Sequence, residues 1–358
     1  MRLAAYDYAL PPERIAQFPF PQRDQARMMH VARHSGAWQH GHVFADLPSL
    51  LSPGDCVVMN NTQVIPARLM GRRAESGGRI ELLLLTPAAH AADCWWALGR
   101  PARKLYVGAR LYFGPLPEAS APWAEVIETG AGARRLVKID PRGFASVETM
   151  LEALGQMPIP PYLRREAVPE DKERYQTVVA QRHASLPGSQ AAPTAGLHMT
   201  PQVLAALADR EIEVAYVTLA VGTGTFRSVD ADDIQEHAMD AEAYALPAET
   251  AAILNSTKAR GGRIVAIGTT SVKTLETVAK KYSHQPFVAD AGFSDLFIYP
   301  GFSFEAVTAM VTNFHLPKST LMMLVSAFAG RPQILAAYNE AVAQQYRFYS
   351  YGDCMLLM

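Results

Sequence analysis

RIVAIGTTSVKTLETVAKK, residues 263–281, decides the fold. Arg263-Ile264-Val265-Ala266-Ile267 is a short apolar run rich in β-branched residues and reads as a strand buried on both faces. Gly268-Thr269-Thr270-Ser271 ends that strand and opens a helix through about Lys281. The same grammar returns on either side. A strand over 214–221 ends in Gly222-Thr223-Gly224-Thr225-Phe226, a helix covers 247–260, and 295–299 reads as a strand ending at Pro300-Gly301. A strand over 309–314 ends in His315-Leu316-Pro317-Lys318-Ser319-Thr320 and leads into a helix over 321–329. Strand–loop–helix repetition predicts an α/β fold: a largely parallel sheet with helices on both faces.

Working back from this region, residues 188–200, Gly-Ser-Gln-Ala-Ala-Pro-Thr-Ala-Gly-Leu-His-Met-Thr, hold almost nothing that buries apolar area. Thr200-Pro201 then caps a helix over 202–210. A small-residue loop entering a helix lets a ligand approach the backbone closely. Further upstream, Cys56-Val57-Val58-Met59 is a buried-type strand with a polar tip at Asn60-Asn61-Thr62-Gln63. Between 67 and 154 the texture changes to short strands split by Gly and Pro turns, which predicts a small inserted β-barrel. The main α/β domain then comprises 1–66 and 155–358. Residues 6–30 read as a short helix and an irregular charged arm, and the histidines between 30 and 42 as solvated. Basic residues beside tyrosines at 162–175 form the best nucleic-acid candidate.

Composition narrows the classes. Hydrophobic residues make up 49% of the 358 and charged ones 19%, so the chain can bury a full core. A formal net charge of −1 gives no global grip on nucleic acid, and any RNA must be held by a local basic patch. Cys56, Cys94 and Cys354 form no CxxC pair and suggest free thiols in a reducing compartment. No apolar run is long enough to span a bilayer, so a soluble cytoplasmic protein is expected.

For chemistry, the loops at 222–225, 268–271 and 315–320 should share the carboxyl edge of the sheet, where open α/β folds bind ligands. Two of them precede helices whose free N–H groups suit an anion. The chain has no GxxxxGK[ST] and no strand-linked GxGxxG, which disfavours nucleotide triphosphates and dinucleotides. An amino-acid carboxylate or ribose hydroxyls fit better. Acid–base candidates are His198, His315, His237, Asp240, Asp295 and Glu276. No HExxH or GxSxG motif points to a metal site or a serine nucleophile.

Longer motifs then accumulate in order. They include Val64-Ile65-Pro66-Ala67-Arg68-Leu69, Pro158-Ile159-Pro160-Pro161-Tyr162, Ala191-Ala192-Pro193-Thr194-Ala195-Gly196-Leu197-His198 and Thr312-Asn313-Phe314-His315-Leu316-Pro317-Lys318-Ser319-Thr320. Over essentially its whole length the chain closely resembles the S-adenosylmethionine:tRNA ribosyltransferase-isomerases of queuosine biosynthesis. The resemblance implies a main α/β domain with an inserted barrel, and transfer of the ribosyl group of S-adenosylmethionine to 7-aminomethyl-7-deazaguanine at a tRNA wobble position. S-adenosylmethionine is then a consumed co-substrate, and no metal or resident cofactor is implied. A monomer is expected. The residues assigned to catalysis are His198, His315 and Asp295. Substrate binding is assigned to Asn61, Thr194, Gly196, Leu197, Gly222, Thr223, Gly224, Thr225, Thr269, Thr270, Ser271, Asn313, Lys318, Ser319 and Thr320. tRNA binding is assigned to Arg68, Arg164, Arg165, Arg174 and Tyr175. At Asn61, Gln63, Ala220 and Asp240 the chain departs from the residues usual in such enzymes, Asp, Arg, His and His, which motivates an alternative: a paralogue that keeps the fold and binds tRNA or S-adenosylmethionine with altered or lost catalysis.

Overall fold

The computed structural model describes residues 1–358 except 89, 90, 116, 184, 223, 225–228, 230, 284 and the side chain of 92. The strands are β1 (Arg27–Val31), β2 (Trp38–Val43), β3 (Cys56–Asn60), β4 (Arg68–Arg73), β5 (Arg79–Ala88), β6 (Ala91–Arg100), β7 (Arg110–Phe113) and β8 (Trp123–Thr129). They continue with β9 (Arg134–Asp140), β10 (Glu213–Leu219), β11 (Glu242–Leu246), β12 (Ile264–Ile267), β13 (Asp290–Ser294), β14 (Ala309–Asn313) and β15 (Cys354–Leu357). The helices are α1 (Leu47–Leu50), α2 (Val147–Leu154), α3 (Asp171–Arg174), α4 (Pro201–Asp209), α5 (Ala248–Ala259), α6 (Thr269–Lys281), α7 (Thr320–Ala329) and α8 (Arg331–Ala343).

Among the described residues the main sheet has nine strands in the order β13-β11-β10-β3-β12-β14-β15-β1-β2. Strands β3, β12, β14 and β15 are buried along their whole length. Alternate side chains divide them between two cores. Val58, Ala266 and Met310 pack under α5 to α8, and Val57, Val265 and Val311 under α1 and α4. Helices therefore cover both faces, as the apolar runs require.

The sheet is mixed rather than largely parallel, because four of its eight pairings are antiparallel. The central β10-β3-β12-β14 block is parallel. The antiparallel pairs arise where no single crossover helix joins the strands. β11 returns beside β10 with only the short turn Ile234–Glu236 between them among the described residues. β15 follows two helices, α7 and α8, bent by 115° at Gly330, and re-enters against β14 from the end it left. Gly330 has φ +86°, a conformation that L side chains rarely adopt. The strand read over 295–299 lies instead at Asp290–Ser294. Its pairing needs only backbone, while Leu296 and Phe297 pack toward the core. The N-terminal arm is partly the hairpin β1–β2.

Strands β4 to β9 close a barrel in the order β4-β5-β6-β9-β8-β7. Its interior is Leu69, Ile80, Leu82, Leu84, Ala97, Leu111, Phe113, Val126 and Val137, closed at one end by Met150 and Leu151 of α2. The chain enters and leaves through one neck. Arg68 and Gln156 exchange backbone hydrogen bonds of 3.2 and 2.8 Å, and a Cβ on Gly155 would lie 1.9 Å from the Pro66 carbonyl oxygen. No single described helix is long and apolar enough to cross a membrane.

Candidate active site at the carboxyl edge of the sheet

The parallel strands deliver their C-terminal loops to one cleft with two lobes, which meet at Thr269, Thr270 and Leu321. Helix α6 begins there because Gly268, at φ +87°, turns the chain sharply out of β12. Among the described residues no side chain caps its N-terminus, which leaves the first N–H groups available to a ligand at the cleft. The Thr270 hydroxyl is buried with no hydrogen-bond partner among the described residues.

The first lobe is lined by Tyr162, the 191–195 segment, Val221, Thr312, Asn313, His315, Tyr349 and Ser350. Asn313, at the end of β14, is locked on every side. Its Oδ1 accepts from Thr194 Oγ1 at 3.1 Å, and its Nδ2 donates to the Tyr349 carbonyl at 3.1 Å and to His198 Nε2 at 3.1 Å. His198 is enclosed, with its other polar contact to the Arg23 main chain, and burial pushes its pKa down to about 4. It is therefore neutral near pH 7 and sits behind Asn313, outside the cleft. His315 does line the cleft, with Nε2 2.9 Å from Thr312 Oγ1. Burial lowers it to about 3, again a neutral imidazole. The Tyr162 hydroxyl bonds Ser350, and the Tyr162 ring meets Tyr349 edge-on at 3.8 Å between centroids. Tyr349 holds φ +75°, strain of a kind that collects at ligand sites.

The second lobe has an apolar wall of Leu296, Phe297, Ile298, Leu321 and Leu324. Opposite stand His237, Asp240 and a buried ion pair, Lys273 Nζ to Glu242 Oε2 at 3.0 Å. Glu242 Oε1 also accepts the Gly222 N–H at 3.0 Å. Gly224 and Thr320 complete the lining.

Of the residues singled out from sequence, Thr194, Thr269, Thr270, Asn313, His315, Gly224 and Thr320 line the cleft. Gly222 touches it through Glu242. Thr223 and Thr225 lie outside the described residues. Others have internal work. Gly196 packs on Thr177, Leu197 is core, Ser271 Oγ donates to the Ile267 carbonyl, and Ser319 caps α7. Lys318 pairs with Asp7 at 2.7 Å. Asn61 accepts from Thr218 and donates to Gln181, tying loops together away from the cleft. Asp295 is exposed and lines neither lobe. Glu276 is wholly buried and accepts the N–H groups of Glu305, Ala306 and Val307, a structural role.

Most of the basic residues assigned to tRNA also have partners within the chain. Arg165 makes a bidentate pair with buried Asp171, Arg174 donates to the carbonyls of Pro21 and Phe20, and Tyr175 is fully buried. Arg68 pairs with Glu81 within the barrel. Arg164 alone of the five is exposed. Arg165 and Arg174 thereby tie the 157–175 segment to itself and to the N-terminal arm. Sequence reasoning placed Tyr162 with the basic nucleic-acid candidate and did not single out Tyr349, Ser350, Glu242 or Lys273, all of which line the cleft. A signal for Lys273 was available: it lies four residues after Thr269, on the same face of α6.

A doubly covered α/β sheet with an inserted barrel and a ligand cleft at its carboxyl edge defines the class. A profile of the queuosine biosynthesis proteins matches residues 3–357, and the chain belongs to this enzyme family. A relative from Moorella thermoacetica (strain ATCC 39073 / JCM 9320), named S-adenosylmethionine:tRNA ribosyltransferase-isomerase, is 50% identical over 358 residues, 100% of both chains. The crystal structure of S-adenosylmethionine tRNA ribosyltransferase from Thermotoga maritima is similar at 35% identity and a TM-score of 0.55. That match covers 99% of this chain and 100% of the other.

Proposed function

We propose that this chain transfers and isomerises the ribosyl moiety of S-adenosylmethionine onto 7-aminomethyl-7-deazaguanine at the wobble position of tRNA, giving epoxyqueuosine-tRNA and releasing adenine and methionine. The observation that carries this reading is the two-lobed cleft around the N-terminus of α6. The first lobe offers hydroxyls and amides for a ribose, with His315, which burial keeps neutral, beside them as a hydrogen-bonding group. The second offers an apolar wall for the methionine carbons and thioether, with Lys273 and Glu242 at the end where the amino-acid carboxylate and ammonium would lie. His198 acts as a positioning residue: it holds Asn313, which in turn fixes Thr194. S-adenosylmethionine is a consumed substrate in this reading, and no resident cofactor or metal takes part.

The test is incubation of the purified protein with S-adenosylmethionine and tRNA bearing 7-aminomethyl-7-deazaguanine, with free adenine measured by chromatography. Adenine release that requires that tRNA is the expected result. No release from folded protein that binds both substrates would sink the proposal.

A further inference from the structure

Glu276 and Asp353 are the two carboxylates with no exposure at all among the described residues, and both accept from backbone N–H groups. Burying a carboxylate is costly unless charge-assisted hydrogen bonds replace its lost water. Glu276 organises the turn at 305–307 and lines neither lobe of the cleft. Asp353 stands beside the first lobe, where its carbonyl accepts from Asn313 Nδ2 at 3.4 Å.

Two lining residues of that lobe, Tyr349 and Ser350, belong to no helix or strand. They come from a loop between α8 and β15 that must hold its shape by other means. Residues 347–353 form a ring that is closed twice between its ends. The Asp353 N–H donates to the Arg347 carbonyl, and the Arg347 N–H donates to Asp353 Oδ2, each at 2.7 Å. Asp353 Oδ1 accepts the Arg27 N–H at 2.7 Å, which fixes the ring to the start of β1. Within the ring the Gly352 N–H donates to the Tyr349 carbonyl at 2.9 Å. A Cβ on Gly352 would lie 2.5 Å from the Arg347 carbonyl oxygen, so the ring has no slack. Tyr349, at its positive φ, donates its N–H to the Phe314 carbonyl and turns its own carbonyl to Asn313. The next residue, Ser350, meets the Tyr162 hydroxyl. A strained backbone of this kind persists only where its surroundings over-determine it, and here the doubly closed ring does so.

We propose that Asp353 is a positioning residue for the first lobe. Its carboxylate sets the ring, and the ring sets the Tyr349 carbonyl against Asn313 and the Ser350 hydroxyl against Tyr162. Asp353 lines neither lobe itself, so it acts on a substrate only through these groups. The proposal rests on the enzymatic reading above, in which the first lobe holds the ribose. A misplacement of about 1 Å in such a site costs on the order of a hundredfold in rate.

The test measures adenine release from S-adenosylmethionine with tRNA bearing 7-aminomethyl-7-deazaguanine, and urea unfolding in parallel, for wild type, Asp353→Asn, Glu276→Gln and Ser350→Ala. Asn keeps the size of Asp but offers one oxygen to two N–H groups, so the ring should loosen. Asp353→Asn should lower kcat about ten- to hundredfold at a temperature where it is folded, with KM for tRNA within about twofold of wild type. Glu276→Gln makes the same chemical change at an equally buried carboxylate, and should lose stability while kcat stays within about twofold. Ser350→Ala should lower kcat about three- to tenfold with little loss of stability. Combined with Asp353→Asn it should cost less than the product of the two effects, because both act through one ring. Wild-type kcat in Asp353→Asn, or an equal loss of kcat in Glu276→Gln, would overturn the assignment and leave the enzymatic reading standing. If Asp353→Asn does not fold, Ser350→Ala decides, and wild-type kcat there overturns the assignment. A wild-type protein that releases no adenine would overturn the enzymatic reading and this assignment with it.

Discussion

Replacing Lys273 by Met tests whether the second lobe is built on a truly desolvated ion pair. The side chains of Lys273 and Glu242 are only 8% and 13% exposed, with Nζ and Oε2 3.0 Å apart. At an effective dielectric of about 20, that separation is worth roughly 5 kcal/mol of gross attraction, most of it offset by the cost of taking both charges out of water. Removing one partner alone strands the other charge, so Lys273→Met should cost about 3–5 kcal/mol. The double variant Lys273→Met/Glu242→Gln leaves no unpaired charge, and Gln keeps a carbonyl oxygen for the Gly222 N–H. It should recover to within about 1–2 kcal/mol of wild type, a coupling of at least about 2 kcal/mol. Urea unfolding of the four proteins at pH 7, followed by circular dichroism, completes the cycle. S-adenosylmethionine binding should remain lost in the double variant although stability returns. A cost below about 1 kcal/mol for Lys273→Met, with additive effects in the double, would mean that the pair is solvated and contributes nothing to the lobe.

Further expectations follow from other groups in the site. Thr270→Val removes a buried hydroxyl that has no partner, so the thermal midpoint should hold or rise while affinity for S-adenosylmethionine falls about five- to tenfold, as measured by calorimetry. His198 and His315 resist protonation in the folded state down to about pH 4 and 3, whereas the unfolded chain takes up those protons near pH 6.5. Their contribution is therefore fully present above pH 6.5 and lost on acidification, by roughly 1.4 kcal/mol per pH unit for each histidine. The difference in unfolding free energy between pH 7 and pH 5 should shrink in His198→Gln relative to wild type. Arg165→Gln should destabilise the protein by about 3–5 kcal/mol, because Asp171 is left buried, and should leave the salt dependence of RNA binding unchanged. A reduced salt slope in that variant would restore Arg165 to the RNA-binding face.

The parts of the fold that could be read in the sequence are those whose side chains must carry the pattern. The fully buried β12 and β14 announce themselves as apolar runs, and the barrel as alternating runs between Gly and Pro turns. β2, β11 and β13 are different. They add by backbone pairing at or near an edge, and a strand such as Asp290–Ser294, with Phe293 75% exposed, needs no apolar signature. Missing such strands is also why the sheet was expected to be largely parallel. In the site, the loops that follow strands were legible because their small hydroxyl residues have no core purpose. The contributions of Tyr349 and Ser350 were not, since they reach Asn313 and Tyr162 from far along the chain. The partners of the basic run at 164–174 were hidden for a related reason: sequence displays charge but not whether a carboxylate such as Asp171 or a carbonyl such as that of Pro21 waits to receive it.

The strand order of the main sheet also imposes a calendar on its assembly. β3 emerges early, but its two neighbours, β10 and β12, are made only after the entire barrel. β1 must wait longer still, because its parallel partner β15 occupies residues 354–357 and also joins it to β14. The barrel, whose strands pair among themselves, can close while the ribosome is still working on the main domain. The N-terminal hairpin has no parallel partner until residues 354–357 arrive. A chain without those residues would hold a finished barrel on a sheet divided in two, with an open seam between β14 and β1.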